Sequence, residues 1–296
     1  MLDINMSSRK QTLKPTEEAL ISEALAIEAE AAADAGALGY LARCMVQATM
    51  PHRKVEGTHF ERKNGSFTLT MMAPADPGLP YGSVPRLLLA WLSTEAVRTR
   101  SREIELGDSM SAFMREIGLV PTGGRWGSIT RLKNQTARLF ACTVNAIYKE
   151  GGRTGILNRS VADRAVLWWD AKDPAQAAQW RSKVVLSEPF FNEILDRPVP
   201  VDQRALKALK QSPLALDTYA WLTYRASYMT KASTVPWEAI AGQFGSDYKL
   251  LRQFKAAFLT ELRKVAAVYP AAEFDVSDKG LTVKPGQPHV QRKPSV

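Results

Sequence analysis

The apolar residues of this chain change period in a fixed order, and they do so twice, which narrows the folds open to it more than any one motif. SVPRLLLAWLSTEAVRT, from Ser83 to Thr99, has apolar residues at helical spacing, with Ser83 the expected cap two residues ahead of Pro85. REIEL is short and alternating, as a strand is, and Asp108 is the expected cap of SMSAFMREIG, which closes at Gly118. A helix from Ser128 follows, and after Gly151 and Gly152 the segment from Thr154 to Trp169 reads as a pair of strands. The order is helix, strand, helix, helix, hairpin.

That order returns downstream. Pro213 to Ser227 is an amphipathic helix whose AWLTYRA echoes AWLSTEA of the first pass. STVPWEAIAGQF holds an extended step and then a helix from about Pro236; Tyr248 to Val268 reads as a long helix. Glu273 to Val283 forms a hairpin around Ser277, Asp278, Lys279 and Gly280, with the Gly expected in a left-handed turn position. Between the passes, DAKDPAQAAQWRSK and RPVPVDQ are loop-like, placing the boundary at Asp196 to Asp202. Ahead of both, Thr16 with Glu17 and Glu18 opens an Ala-rich helix. From Glu17 to Asp34 there are six acids and no base, so this arm packs or faces a partner and does not lie on DNA. Gly36 and Gly39 precede a second helical stretch through Met45, and His59 to Met72 alternate as a hairpin turning at Lys63, Asn64 and Gly65.

With 296 residues, 45% apolar and 8% aromatic, the chain suits one large or two ordinary domains. Its apolar runs, such as LLLAWL, are far shorter than the roughly 20 residues of a membrane span, and MLDINMSSRKQ lacks the core of a signal peptide. A cytoplasmic location without membrane contact is expected. Cys44 and Cys142 have no neighbouring His or Cys, so neither a disulfide, a zinc site nor any cofactor is expected. A net charge of +9 and a pI near 9.5 favour a polyanionic partner. The excess is uneven: residues 1–150 hold 18 Lys or Arg against 16 Asp or Glu, and residues 151–296 hold 21 against 14. Within these, residues 120–150 carry five bases against Glu150, and residues 248–264 carry five against Glu261.

Both basic windows fall on helices. In the first, Ile129, Leu132, Leu139, Phe140, Val144 and Ile147 make an apolar stripe, and Arg131, Gln135 and Arg138 project together from another side, flanked by Lys133 and Asn134. No acid occurs from Arg125 to Lys149, whereas a solvated face usually mixes Glu with Lys. Arg bonds guanine and Asn or Gln bonds adenine in bidentate fashion, while Lys and Ser hold phosphates. In the second, Leu251, Phe254, Phe258, Leu262 and Val265 face inward and leave Lys249, Arg252, Gln253 and Lys255 near the N-terminal end, where helix-turn-helix docking meets base edges. The hairpin after it forms a wing with Lys279 at the tip. The expected fold is α+β, predominantly helical: two tandem winged-helix domains behind a helical arm. Residues 1–50 are tail and acidic arm, 51–196 the first domain, 203–286 the second, and 287–296 a tail.

PRLLLAWLSTEAVRTRSREIELGDSMSAFMREIGL, then GGRWGSITRLKNQTARLF and VPVDQRALKALKQSPLALDTYAWLTYR, resemble the plasmid-encoded RepA family of iteron-binding replication initiators, a likeness running from about Pro85 to Pro285. It implies a protein that binds repeated duplex sites at a plasmid origin, helps melt A·T-rich DNA, recruits host replication proteins, and exchanges between monomer and a self-repressing homodimer. It further implies that the second domain is the principal DNA reader, through Tyr248, Lys249, Arg252, Gln253 and Lys255. The first domain would combine dimerisation with secondary DNA contact through Arg125, Ser128, Arg131, Gln135 and Arg138.

Enzymatic classes find little support. A metal-dependent nickase needs paired histidines, but His52 and His59 are separated by six residues and read as surface imidazoles, with His289 remote. No Gly-Lys pair exists for an ATP-binding loop. Glu103 and Glu105 are explained by alternation on a strand. The rival is a winged-helix transcriptional repressor at a single operator, which would carry the same surfaces; a protein coating DNA without preference is the third reading.

Overall fold

The computed structural model describes residues 15–47, 49–107, 109–167, 182–196, 198–245 and 248–290. Helix α1 (Pro15–Ala29) leads to β1 (Leu38–Leu41), α2 (Arg43–Gln47) and the hairpin of β2 (His59–Asn64) and β3 (Phe67–Met72). The first unit runs α3 (Ser83–Thr99), β4 (Glu103–Glu105), α4 (Met110–Glu116), α5 (Ser128–Ala141), β5 (Thr143–Glu150), β6 (Arg153–Ser160), β7 (Ala162–Val166) and β8 (Lys183–Leu186). Helix α6 (Glu188–Asp196), β9 (Val199–Asp202) and α7 (Gln203–Leu209) link it to the second unit. That unit is α8 (Pro213–Ala226), β10 (Ser233–Pro236), α9 (Trp237–Phe244), α10 (Leu251–Val268), β11 (Phe274–Val276) and β12 (Gly280–Val283). The molecule is a mixed helix and strand protein, and among the described residues no helix is long and apolar enough to cross a membrane.

Local chemistry explains several boundaries. Ser212 accepts a hydrogen bond from the Ala215 amide, and Pro213 fills the first position of α8, where a missing N–H costs nothing. Ser109 caps α4 in the same way, while the expected cap, Asp108, lies outside the described residues. Helix α3 starts where expected, but Gly82, with φ of 80°, occupies its cap position and Ser83 is already helical. Thr16 likewise lies inside α1.

The two units share a strand pattern. Sheet orders are β4-β8-β7 and β10-β12-β11: in each, the strand between the first two helices pairs with the last strand, which pairs in turn with the strand immediately before it in the chain. In the first unit β5 and β6 are inserted before that final pair and extend the early hairpin into a four-stranded antiparallel sheet, β2-β3-β5-β6. This corrects the expectation of one hairpin over Thr154 to Trp169. Arg153 opens β6 opposite Glu150, with Thr154 facing Lys149, across a turn at Gly151 and Gly152, and Trp168 and Trp169 lie outside the described residues. Val144 and Ile147 belong to β5 and not to α5, which stops at Ala141.

Two apolar cores result. Leu69, Met71, Leu92, Phe113, Leu132, Leu139 and Ile194 anchor the first; Tyr219, Leu222, Trp237, Phe244, Phe254, Phe258 and Leu262 anchor the second. Helix α3 belongs to both, with Leu88 and Leu92 in the first and Leu87 and Ala90 in the second. The acidic arm packs: Leu20, Ala24 and Ile27 of α1 lie against the second core, and Arg204 donates to the carbonyls of Ala26 and Glu30 at its C-terminal end. There a cation meets the negative end of the helix dipole. RPVPVDQ, expected as loop, supplies β9, which pairs antiparallel with β1.

A buried polar cluster ties the units together. Arg86 of α3 donates through Nε and Nη2 to the two oxygens of Asp217 on α8, each at 2.7 Å, and also to the carbonyls of Met50, Pro51 and Gly82. His52 Nε2 lies 2.7 Å from Asp217 Oδ2 with its side chain 7% exposed, which corrects its reading as a surface imidazole. Burial lowers the His52 pKa against the opposing pull of Asp217. Burial alone would raise the Asp217 carboxyl, yet Arg86 and the His52 bond hold it below its ordinary value. An ionised carboxylate facing a neutral ring requires the proton to sit on Nε2. Both cysteines are buried free thiols, and burial pushes each up to about 12.

Candidate nucleic-acid interface

Helix α5 is positioned by its apolar stripe, with Leu132 and Leu139 fully buried in the first core. The loop before it is knitted to its first turn. Ser128 Oγ donates to Val120 O at 2.6 Å and accepts from the Thr122 amide, and Thr130 Oγ1 donates to Gly124 O. A Cβ on Gly127 would sit 2.3 Å from the carbonyl oxygens of Thr122 and Gly123, so only glycine fits that crossing. Arg125, Arg131 and Asn134 are exposed. Arg125 lies 5.2 Å from the ring of Trp126, which is 84% exposed. Trp126 lies in the GGRWG that leads into α5, outside any periodic pattern that would mark a tryptophan as exposed.

Other members of the first set are structural. Gln135 is buried, its Oε1 accepting from the Tyr81 amide at 2.8 Å, which removes it from any groove. Its place in the helical pattern matched that of Arg131 and Arg138, and the loop over residues 78–81 that covers it could not be foreseen. Arg138 is half-buried and held by Asn134 Oδ1 at 2.6 Å, by Leu79 O at 3.1 Å and by the Tyr81 ring. Lys133 is half-buried, and the Ser128 hydroxyl is spent on the loop.

On α10, Phe254, Phe258, Leu262 and Val265 are buried, and Arg252 and Gln253 are exposed. Leu251, expected inward, is 39% exposed beside Leu250 at 45%. Tyr248 and Lys249 precede the helix; Tyr248 is half-buried with its ring edge against Phe254, and Lys249 is exposed. Lys255 bridges to the hairpin: its Nζ is 3.4 Å from Asp278 Oδ1 and 5.0 Å from the Trp237 ring centroid. Trp237 Nε1 donates to Ser277 O at 2.9 Å, so the turn bearing the exposed Lys279 is held beside the first turns of α10. Neither Arg131 nor Arg252 forms an ion pair among the described residues, so both guanidiniums keep their donors for a ligand.

The fold and these surfaces define a class: a mixed α/β protein of two similarly ordered units, each presenting a basic helix to solvent. The family model described as plasmid encoded RepA protein matches residues 79–239, more than half of the chain. The chain belongs to that replication initiator family. The match runs from ahead of α3 into the first turn of α9 and so includes α5 but not α10. Among solved structures, the selenomethionine form of domains 2 and 3 of RctB is similar over 83% of this chain and 96% of that one, with a TM-score of 0.55 and 12% identity. A second structure of RctB domains 2–3 is similar over 81% and 96%, with a TM-score of 0.50 and 11% identity. At such identities the likeness is one of fold. No curated protein matches the chain in sequence.

Proposed function

We propose that this protein is a plasmid replication initiator that binds repeated duplex sites in a sequence-specific way, without catalysis of its own. Both units are winged helices in this reading: α10 is the principal reader, α5 the secondary one, and the β11–β12 turn is a wing. The observation that carries it is the start of α10, where exposed Arg252 and Gln253 stand beside a Lys279 turn held in place by Lys255 and Trp237. Arg and Gln at the start of a helix are suited to base edges, and a lysine at a wing tip to phosphate. Membership of the RepA family supports the role. In the first unit the reading set contracts to Arg125, Arg131 and Asn134, with Arg138 as a positioning residue. Exchange between monomer and homodimer, and contacts with host replication proteins, belong to the same proposal.

Fluorescence anisotropy on a repeat duplex and a scrambled one, across salt concentrations, tests it. Arg252→Ala lowers discrimination by about 1–3 kcal/mol. Lys279→Ala weakens both duplexes alike and flattens the slope of log affinity against log salt by about 0.9. Unchanged binding in both variants would remove α10 and its wing from the interface. A footprint on several direct repeats supports an initiator, and one confined to a single inverted repeat supports a repressor.

A further inference from the structure

Arg53, ahead of the β2–β3 hairpin, and Arg131, on α5, line one open cleft of about 570 Å³ at the seam between the two units. Lys54 and Lys210 line it too, and no Asp or Glu does. Lys210 donates to Gly118 O at 2.7 Å and Lys54 lies 3.6 Å from Glu56, whereas Arg53 and Arg131 are exposed and make no ion pair among the described residues. Four cations around one concavity repel one another, and the walls focus their field on whatever enters. The volume falls within the range of small-ligand sites. Two free guanidiniums offer paired donors in planar forks, the geometry that phosphate oxygens accept, and two ammonium groups add point charges. Reading of DNA by α10 makes no use of this cleft, which shares Arg131 with the contracted reading set of α5 and is also lined by Ser128 and Gln135, whose polar groups are spent on neighbouring loops.

We propose that the cleft binds a phosphoryl group, with Arg53 and Arg131 as its forked ligands and Lys54 and Lys210 as supporting charges. The group comes either from a DNA backbone or from a free phosphoester, since both present the same oxygens.

The test uses the full chain as wild type, as the Arg53→Gln/Lys54→Gln double variant and as Arg53→Lys. Both altered side chains are exposed, and equal melting without anion checks the fold. In the first arm, pyrophosphate raises the melting temperature of the wild type. Its apparent affinity falls roughly tenfold in the double variant and by less in Arg53→Lys, which keeps the charge and loses the fork. In the second arm, a duplex of random sequence is titrated across salt. A salt slope flattened by about 0.9 per lost contact in the double variant assigns the group to a DNA backbone, and an unchanged slope with the pyrophosphate loss intact assigns it to a free phosphoester. No pyrophosphate response in the wild type, or the same response in all three proteins, overturns the site. A wild type that responds to pyrophosphate and binds no duplex overturns the DNA-binding proposal and leaves the cleft standing.

Discussion

His289 follows the last strand in a stretch that reads as tail, yet its Nδ1 lies 2.7 Å from Tyr219 Oη and its ring stacks on Tyr269 at 4.7 Å. Burial pulls its pKa down to about 4. The unfolded chain therefore takes up this proton first as pH falls. The stability that the neutral ring contributes is complete above its ordinary value of 6.5 and is lost progressively between there and about 4. Its full size is about 3 kcal/mol. His52, lowered by burial against Asp217, acts in the same direction. Urea unfolding followed from neutral pH down to about pH 4 is expected to show this decline, with a shallower slope for His289→Gln; an identical slope for that variant would mean that the ring is not buried neutral. Histidines, glutamines and arginines are the residues whose roles were hardest to read from the chain. Nothing in the letters distinguishes Gln135, sealed under the loop over residues 78–81, from Gln253, which meets solvent.

Helices were more legible than strands. A helix buries its stripe at i, i+3 and i+4, so α3, α8 and α10 can be recognised within their own residues. A strand acquires partners from elsewhere. Cys142, Val144 and Ala146 alternate as buried residues of β5 and its entry, but Val144 and Ile147 also fit the helical spacing of the segment before them. Only pairing with β3 and β6 decides between the two periods. Strands β1, β8 and β9 each pair across long stretches of chain and have weak local patterns. Gly280 was expected in a turn for its tolerance of a left-handed conformation. Its actual constraint is proximity: at φ of 159° it opens β12, and a Cβ there would lie 2.1 Å from the Val235 carbonyl of β10. Gly280→Ala is therefore expected to destabilise the second unit by about 2 kcal/mol or more, read from urea unfolding. Stability within about 0.5 kcal/mol of wild type would show that the strands can separate without loss.

At the scale of the molecule, the two units are not beads on a string. Helix α3 sits in both cores, α1 reaches from the N-terminal end to the second core, and Arg86 with His52 meets Asp217 across the seam. A buried ion pair of this kind is weak evidence for net stability, but removing one partner leaves an uncompensated charge. Asp217→Ala is expected to cost about 3–5 kcal/mol by chemical denaturation, because Arg86 then remains buried without its carboxylate. An effect under about 1 kcal/mol would mean that solvent reaches the seam. The same seam brings Arg53 and Lys210 to one cleft with Arg131, a grouping that spans more than half of the chain.

Periodicity and charge by themselves determined the recurring helices of the two passes, the apolar anchors Leu132 and Leu139 of α5 and Phe254, Phe258 and Leu262 of α10, and the concentration of cations on those helices, since each depends on residues within one or two turns of each other. The shared role of α3, the insertion of β5 and β6, the sealing of Gln135 and His52, and the acid-free cleft were decided only in three dimensions. Each arises where segments distant in the chain bury polar or apolar groups against one another, and the free energy of such burial belongs to the pair and is written in neither segment alone.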